Sequence, residues 1–423
     1  MPKRENRRGQ PVTLLWMPPY ARPAVVYVTH HLPWPARNGG RVRESQLLSR
    51  LAERFDIEVV AVSKVPELDS RHLHEAASHG MRGRVFAARS SRTTGAGPLT
   101  RRHSSPAARD YLSHRLQQSS SLIVHVEGHY LLRLVPEQAR PTALLVEHNI
   151  ESALFYQRAD LSRSRRERAG LIRESARTRR DEVWAWRSVQ TVGALTAEDG
   201  AVIRASAPDT DVRLLPNGSD HLRVDGTPIS RAQRMAARLL FVAAFGYGPN
   251  LDAARLLVAE VLPAVLHRCP DATLTIVGSD PPRWLIEAAR VEPRLTVTGW
   301  VPDVGPWLDA AEVVVCPLTV GGGIKVKILE ALTRGCAVVA TPIALQGLRE
   351  LADGAIVECA DPASVVDASV RLLSSPCERA RQRARAADTS RRLTSWDSAA
   401  DVLANAWYDV ASGVATRATG ARA

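Results

Sequence analysis

The sequence predicts an α/β protein made of two consecutive doubly wound domains facing each other across a cleft. Three observations carry this expectation. Short apolar runs alternate with helical patterns along the chain. The runs are continuous, not alternating, which suits parallel strands buried on both faces of a sheet. The alternation then restarts near Arg238, after a short polar stretch from Val224 to Arg234 (VDGTPISRAQR). A chain of 423 residues has room for two or three domains at roughly 100–200 residues each.

Residues 1–23 read as a basic N-terminal extension. Its apolar stretch, Val12 to Met17, ends at Pro18-Pro19 and is too short for a secretory core. The first domain, 24–226, opens with the strand Ala24–Thr29 and an amphipathic helix over Arg41–Phe55, with Val42, Leu48, Leu51 and Phe55 on one face. Further strands are predicted at Ile57–Val62, Leu122–Val126, Ala143–Val146, Ser188–Val192 and Val212–Leu215, and Ser90–Ala107 reads as a long polar loop. The second domain, 235–390, starts with the strand RLLFVAAF and a helix over Leu251–Leu266. Strands follow at Ala272–Gly278, Leu295–Gly299, Glu312–Leu318 and Ala337–Thr341, with a helix over Ile324–Arg334 stopped by Gly335. Residues 391–423 are expected to form a C-terminal helix and tail packing back on the first domain.

Composition narrows the function classes. Hydrophobic residues are 45% and charged residues 24% of the chain, near the globular norm, which excludes disordered and fibrous classes. No apolar run reaches the ~18–20 residues of a membrane-crossing helix. Five dispersed cysteines without a C-x-x-C pair argue against a disulfide framework or a structural zinc site. The expectation is a cytoplasmic protein. A net charge of +12 favours anionic partners, but aromatic residues are only 5% and no nucleic-acid recognition motif is present. Of the 56 basic residues only Lys3, Lys64, Lys325 and Lys327 are lysines. Half of the lysines therefore lie in one loop.

That loop, Gly321-Gly322-Gly323-Ile324-Lys325-Val326-Lys327-Ile328-Leu329-Glu330, follows a strand and opens a helix. Glycines let backbone N–H groups approach a ligand, and a helix N-terminus favours anions. Lys325 and Lys327 supply charge suited to a diphosphate. Glu330, about one turn on, offers an acceptor-only carboxylate to the vicinal hydroxyls of a ribose. The plainer alternative is a tight turn with solvated lysines. Gly246-Tyr247-Gly248 lacks the third glycine of a dinucleotide fingerprint, and no G-x-x-x-x-G-K-[ST] occurs.

The run GGGIKVKILEALTRGCAVVATPIALQGL (Gly321–Leu348) resembles the donor-site signature of the family 4 glycosyltransferases, retaining enzymes of the GT-B fold. FVAAFGYGPNLDAA, ATLTIVGS, LTVTGWVPDVGPWLDAAEVVVCPL and LLPNGSD fit the same pattern, and HHLPWPARNGGRVRESQLLSRL and VEHNIES fit it more loosely. The resemblance implies two Rossmann-like domains and a nucleotide-diphosphate sugar as co-substrate, with no further cofactor. It implies that Lys327 contacts the diphosphate and that Glu330 is the second acid of an E-x7-E motif. Gly322 stands where the first acid would be. The loop Gly246–Asn250 lacks the basic pair of many members, leaving Asn250 as its polar contributor, and Val301 falls where the backbone reads the base. Gly39-Gly40 matches the first-domain loop against the donor phosphates, with Arg41 and Arg43 adding charge toward the cleft. On composition alone, the glycine pair is a turn or helix start.

His125, Glu127 and His129 end one predicted strand, and His148 and Asn149 end the next. Each histidine alone reads as structural; together they suit an acceptor site. The resemblance implies that His125, Glu127, His148 and Asn149 lie near the acceptor, with His125 and Glu127 orienting groups or accepting protons. No carboxylate cluster suggests a metal. Arg158–Arg187 holds ten arginines against five acids and reads as one long helix, either solvated or resting on an anionic membrane. The expected activity is transfer of a sugar to a carbohydrate, lipid-linked or small-molecule acceptor in bacterial surface or natural-product glycosylation, on the inner face of the membrane. The alternatives are a catalytically inactive binding subunit and a GT-B epimerase.

Overall fold

The computed structural model describes residues 22–91, 95–119, 121–222, 239–352 and 354–413. The break expected at Val224–Arg234, residues 1–21 of the basic extension and the tail after residue 413 lie outside the described residues.

The first sheet contains β1 (Ala24–Thr29), β2 (Asp56–Ser63), β3 (Arg82–Ala87), β4 (Ile123–Glu127), β5 (Ala143–Glu147), β6 (Thr191–Ala194) and β7 (Asp211–Leu214). The second contains β8 (Leu239–Val242), β9 (Leu274–Val277), β10 (Leu295–Gly299), β11 (Val313–Cys316), β12 (Ala337–Ala340) and β13 (Ile356–Glu358). Their orders are β3-β2-β1-β4-β5-β6-β7 and β10-β9-β8-β11-β12-β13, so the two sheets repeat one topology. All their pairings are parallel. Strand order reverses between β1 and β4 and between β8 and β11. Ligands of doubly wound sheets bind beyond the strand C-termini at such switch points.

Period-two alternation sorts the core. On one face of the first sheet Val25 and Tyr27 pack with Ile57, Val59, Trp396 and Trp407. On the other, Val26 and Val28 pack with Val60, Val62 and Trp186. The second sheet has its own core around Leu240, Val314 and Val338. Ile324, in the glycine loop, packs against both the first of these clusters and the second-sheet core, joining the halves.

Several elements differ from the sequence reading. β3 and β13 were not expected: β3 is half polar (RGRVFA) with no fully buried residue, and β13 has three residues. Part of the expected loop Ser90–Ala107 folds as the short helix Pro98–Arg102. The basic segment is two helices, Glu151–Leu161 and Arg165–Arg187, because Ser164 caps the second by accepting from Glu167 N. The helix Trp396–Ser412 lies on the first domain. Its outer face is tied down by Arg50–Asp397 and Arg54–Asp401, each at 2.5 Å. Gly218 is required beneath its first turn, since a Cβ there would lie 2.5 Å from Trp396.

A buried polar cluster supports the end of β5. Trp186 Nε1 donates to Glu147 at 2.9 Å, and His129 pairs with the same carboxylate. Burial pulls the His129 imidazolium down, but Glu147 outweighs it and lifts the pKa to about 9. Burial raises the nearby Glu182 carboxyl to about 7. Both folded values exceed the unfolded ones, so the folded state binds more protons and its stability falls as pH rises. The His129 contribution is complete below about pH 6.5 and lost through about pH 9. Thermal melts should therefore show a declining midpoint from pH 6.5 to 9. In His129→Gln the decline should be confined to the acid side of this window, and an unchanged profile would contradict the assignment.

Candidate active site

The loops after β1, β4, β5, β8 and β11 converge at the two switch points. After β11, Gly321–Lys325 forms the predicted loop, and the helix it opens runs from Val326 to Thr333, two residues later than expected. Gly335, at φ 61°, adopts the left-handed conformation that stops it. The loop is seated on the first domain. Gln157 accepts from Gly321 N at 2.9 Å and donates to Gly321 O at 3.2 Å. A Cβ at Gly323 would lie 2.1 Å from His148 O, and φ there is 61°. A Cβ at Gly322 would meet Asn149 at 3.1 Å. A side chain at 322 would thus require Asn149 to shift by a few tenths of an ångström.

The two lysines have different surroundings. Lys325 folds back and donates to Gly322 O at 3.0 Å and Gly323 O at 2.6 Å, bracing the turn. Burial lowers its pKa to about 8. Lys327 donates to Asn250 Oδ1 at 2.7 Å and lies 4.6 Å from the Phe241 ring centroid, and burial lowers its pKa. Among the described residues neither lysine is in a salt bridge. Asn250 is anchored by donating to Ala244 O at 2.8 Å, and the exposed Gly246 has open space around it. Val301 follows Trp300, whose ring lies 5.3 Å beneath the guanidinium of Arg37 from the first domain. Glu330 is buried and pairs with His221 at 3.1 Å.

Across the junction, Gly39 and Gly40 begin the helix Gly39–Leu51, capped by Asn38. A Cβ at Gly39 would approach Val326 at 3.2 Å, and one at Gly40 would lie 3.8 Å from His148 Nδ1. Arg41 and Arg43 correct the sequence reading. Arg41 binds Asp69 at 3.0 Å, and the buried Arg43 binds Asn217 and Pro216 O. Their charge is spent inside the first domain, on partners far away in sequence.

The acceptor-side candidates form one network. The β1–β4 register sets Tyr27 beside His125, and the rings stack at 4.3 Å. Glu127 accepts from Tyr27, from His125 Nε2 at 2.9 Å and from His148 Nε2 at 2.5 Å. Burial would raise the Glu127 carboxyl, but His148 and His125 outweigh it and hold it well below the usual carboxylate range. Burial likewise pulls His148 down, while Glu127 outweighs it and leaves the imidazole raised. His125 is fully buried and its Nδ1 accepts from Trp407. His148 keeps 22% of its side chain exposed. Asn149 donates to Glu151 at 3.2 Å. The structure thus brings His148 and Asn149 against the glycine loop and leaves the buried Glu127 and His125 behind them. Tyr27, Gln157, His221, Trp396 and Trp407 were not singled out in the sequence.

One group among the described residues could hold a metal: His30, His31 and Glu44 bring their donor atoms within 4.8 Å of one another. His31 Nε2 lies 3.0 Å from a Glu44 carboxylate oxygen, and Thr29 donates to Glu44 at 2.8 Å.

Gly323→Ala should lower the melting midpoint by several degrees, at about 2–4 °C per kcal/mol for domains of this size, and weaken nucleotide binding. Gly170→Ala, with open space around it, serves as the control. Equal midpoints and equal binding in both variants would show that the loop seat is not required.

Residues 236–375 match the family model described as Glycosyl transferases group 1. The phosphatidyl-myo-inositol mannosyltransferase of Mycobacterium tuberculosis is 32% identical over 143 residues, which is 32% of this chain and 36% of that protein. The chain thus spans about a third of the length of its curated relatives. Among solved structures, sucrose-phosphate synthase from Thermosynechococcus elongatus superposes with a TM-score of 0.71 at 16% identity, covering 92% of this chain and 99% of that one. HepE from Anabaena, solved with UDP-glucose, gives 0.64 at 14% identity, covering 91% and 99%. Residues 236–375 thus resemble the group 1 glycosyltransferases, and the chain as a whole shares the two-domain GT-B fold of these solved structures.

Proposed function

We propose that the protein moves a sugar from a nucleotide-diphosphate sugar to an acceptor hydroxyl with retention of configuration. One observation carries this reading: the glycine loop that leads to Lys327, at one switch point, is seated on His148 and Asn149 at the other, and His148 is bonded to Glu127. Lys327 and the loop amides offset charge on the departing diphosphate, in a site built before the reaction begins. Glu330 holds the ribose, Asn250 fixes the Lys327 ammonium, and Val301 meets the base. Gly39 and Gly40 leave room for the phosphates to approach backbone.

Retention follows in this reading from what the junction offers. Glu127 already accepts hydrogen bonds from three side chains and is poorly suited to attack as a nucleophile. Reaction on one face of the sugar, with the leaving diphosphate drawing the acceptor proton, needs no covalent intermediate. No metal is required for this chemistry. EDTA should leave turnover unchanged; loss reversed by a divalent cation would instead assign a role to His30, His31 and Glu44.

The named activity of the mycobacterial relative supports a lipid-linked acceptor, and solved relatives with UDP or UDP-glucose support a nucleotide sugar donor. The Arg-rich helix Arg165–Arg187 supports contact with an anionic membrane. A shallow cavity of about 490 Å³ on it is lined by Arg179, Arg180, Trp184 and Arg187. No helix among the described residues is long and apolar enough to cross a membrane. A peripheral protein on the inner bacterial membrane fits these features, and it should float with anionic liposomes at low salt and detach at high salt. The runner-up, a binding subunit without turnover, draws on Gly322.

Incubation with a panel of nucleotide sugars and candidate acceptors separates the two. Released nucleotide together with glycosylated product supports transfer; binding without release supports the subunit. In the active enzyme Lys327→Ala and Glu330→Ala should each reduce transfer by about 10²-fold or more while melting near the wild-type temperature. Near-normal activity in both variants would refute the site.

A further inference from the structure

The C-terminal helix sends two tryptophans to the two sides of the site. Trp396 and Trp407 are eleven residues apart on Trp396–Ser412, about three turns and roughly 16 Å along one face. Both are fully buried. Trp407 Nε1 donates to His125 Nδ1 at 3.0 Å, and Trp396 Nε1 donates to His221 Nδ1 at 2.9 Å. Each histidine turns its other nitrogen to a carboxylate: His125 Nε2 to Glu127 at 2.9 Å, and His221 Nε2 to Glu330 at 3.1 Å.

The chemistry of the indole removes the ambiguity in both chains. A tryptophan N–H only donates. Nδ1 of each histidine must therefore carry a lone pair, and its proton sits on Nε2, aimed at the carboxylate. Ionised Glu127 only accepts, so His148 Nε2 must donate to it. In neutral His148 the lone pair is then left on Nδ1, the atom that lies 3.8 Å from a Cβ built on Gly40. The C-terminal helix thus fixes the His125 proton that is aimed at Glu127, and ionised Glu127 in turn fixes that of His148.

We propose that Trp396 and Trp407 are positioning residues: one helix sets the tautomers of His221 and His125 through paired Trp–His–Glu chains, holding Glu330 for the donor and Glu127, the partner of His148, for the acceptor edge. This deepens the transferase reading and rests on it for the roles of Glu330 and His148. The tautomers themselves do not depend on that reading.

Two measurements test it. In protein labelled with ¹⁵N-histidine, wild-type His125 and His221 should show the neutral Nε2–H signature. Trp407→Phe should disturb only His125 and its neighbour His148, and Trp396→Phe only His221. An Nδ1–H signature in the wild type would overturn the proposal whether or not any sugar is transferred. In kinetics, Trp407→Phe should lower kcat about tenfold, as for loss of a hydrogen bond near a charged group, with the donor KM unchanged. With one donor no longer held to it, Glu127 is more negative toward His148, so the acid limb of the pH profile should move to higher pH. Trp396→Phe should raise the donor KM and the Kd of UDP or GDP several-fold, with the acid limb unmoved. Because phenylalanine also leaves space, 3-benzothienylalanine at each position, which keeps the shape and lacks the N–H, should reproduce both patterns. Wild-type parameters with the benzothienyl side chain would reduce both tryptophans to packing.

Discussion

The seat of the Gly321–Lys325 loop on the end of β5 is the constraint from which the rest of the site follows. Gly323 touches His148 O so closely that no side chain fits, Gly322 abuts Asn149, and Gln157 binds both backbone groups of Gly321. Lys325 closes the turn from inside by donating to two of its carbonyls. The loop backbone of the second domain is thereby held against His148, Asn149 and Gln157 of the first. Both sets sit at the C-terminal ends of parallel strands, where doubly wound sheets leave crevices.

The electrostatics follow the same division. On the second-domain side, burial weakens the hold of both lysines on their protons, and Lys327 has a neutral amide for a partner. An ammonium desolvated in this way, in no salt bridge among the described residues, favours an incoming anion. On the first-domain side, burial would neutralise Glu127, but His148 and His125 keep it ionised. The site holds its charges apart across the junction before any ligand arrives, and this is the condition for charge stabilisation with little reorganisation.

Much of this was legible in the sequence. Continuous apolar strands such as AVVYVT and EVVVC announced parallel sheets, and three glycines with two of four lysines singled out the loop after β11. The half-polar β3 and the three-residue β13 gave no such signal. His125, Glu127 and His148 could be grouped because they end neighbouring strands, but which of them faces the junction depends on burial. Arg41 and Arg43 looked free because Asp69 and Asn217 are distant in the chain. The contacts of Trp396 and Trp407 span 175 and 282 residues. Only the same-face spacing of two tryptophans could have hinted at them.

The most direct test is a crystal structure with a bound nucleoside diphosphate such as UDP. The account predicts its pyrophosphate within hydrogen-bonding distance of Lys327 Nζ and the amides of the Gly321–Lys325 loop, with the ribose at Glu330 and the terminal phosphate facing His148. A diphosphate bound elsewhere, with Lys327 still on Asn250 and the loop empty, would contradict it.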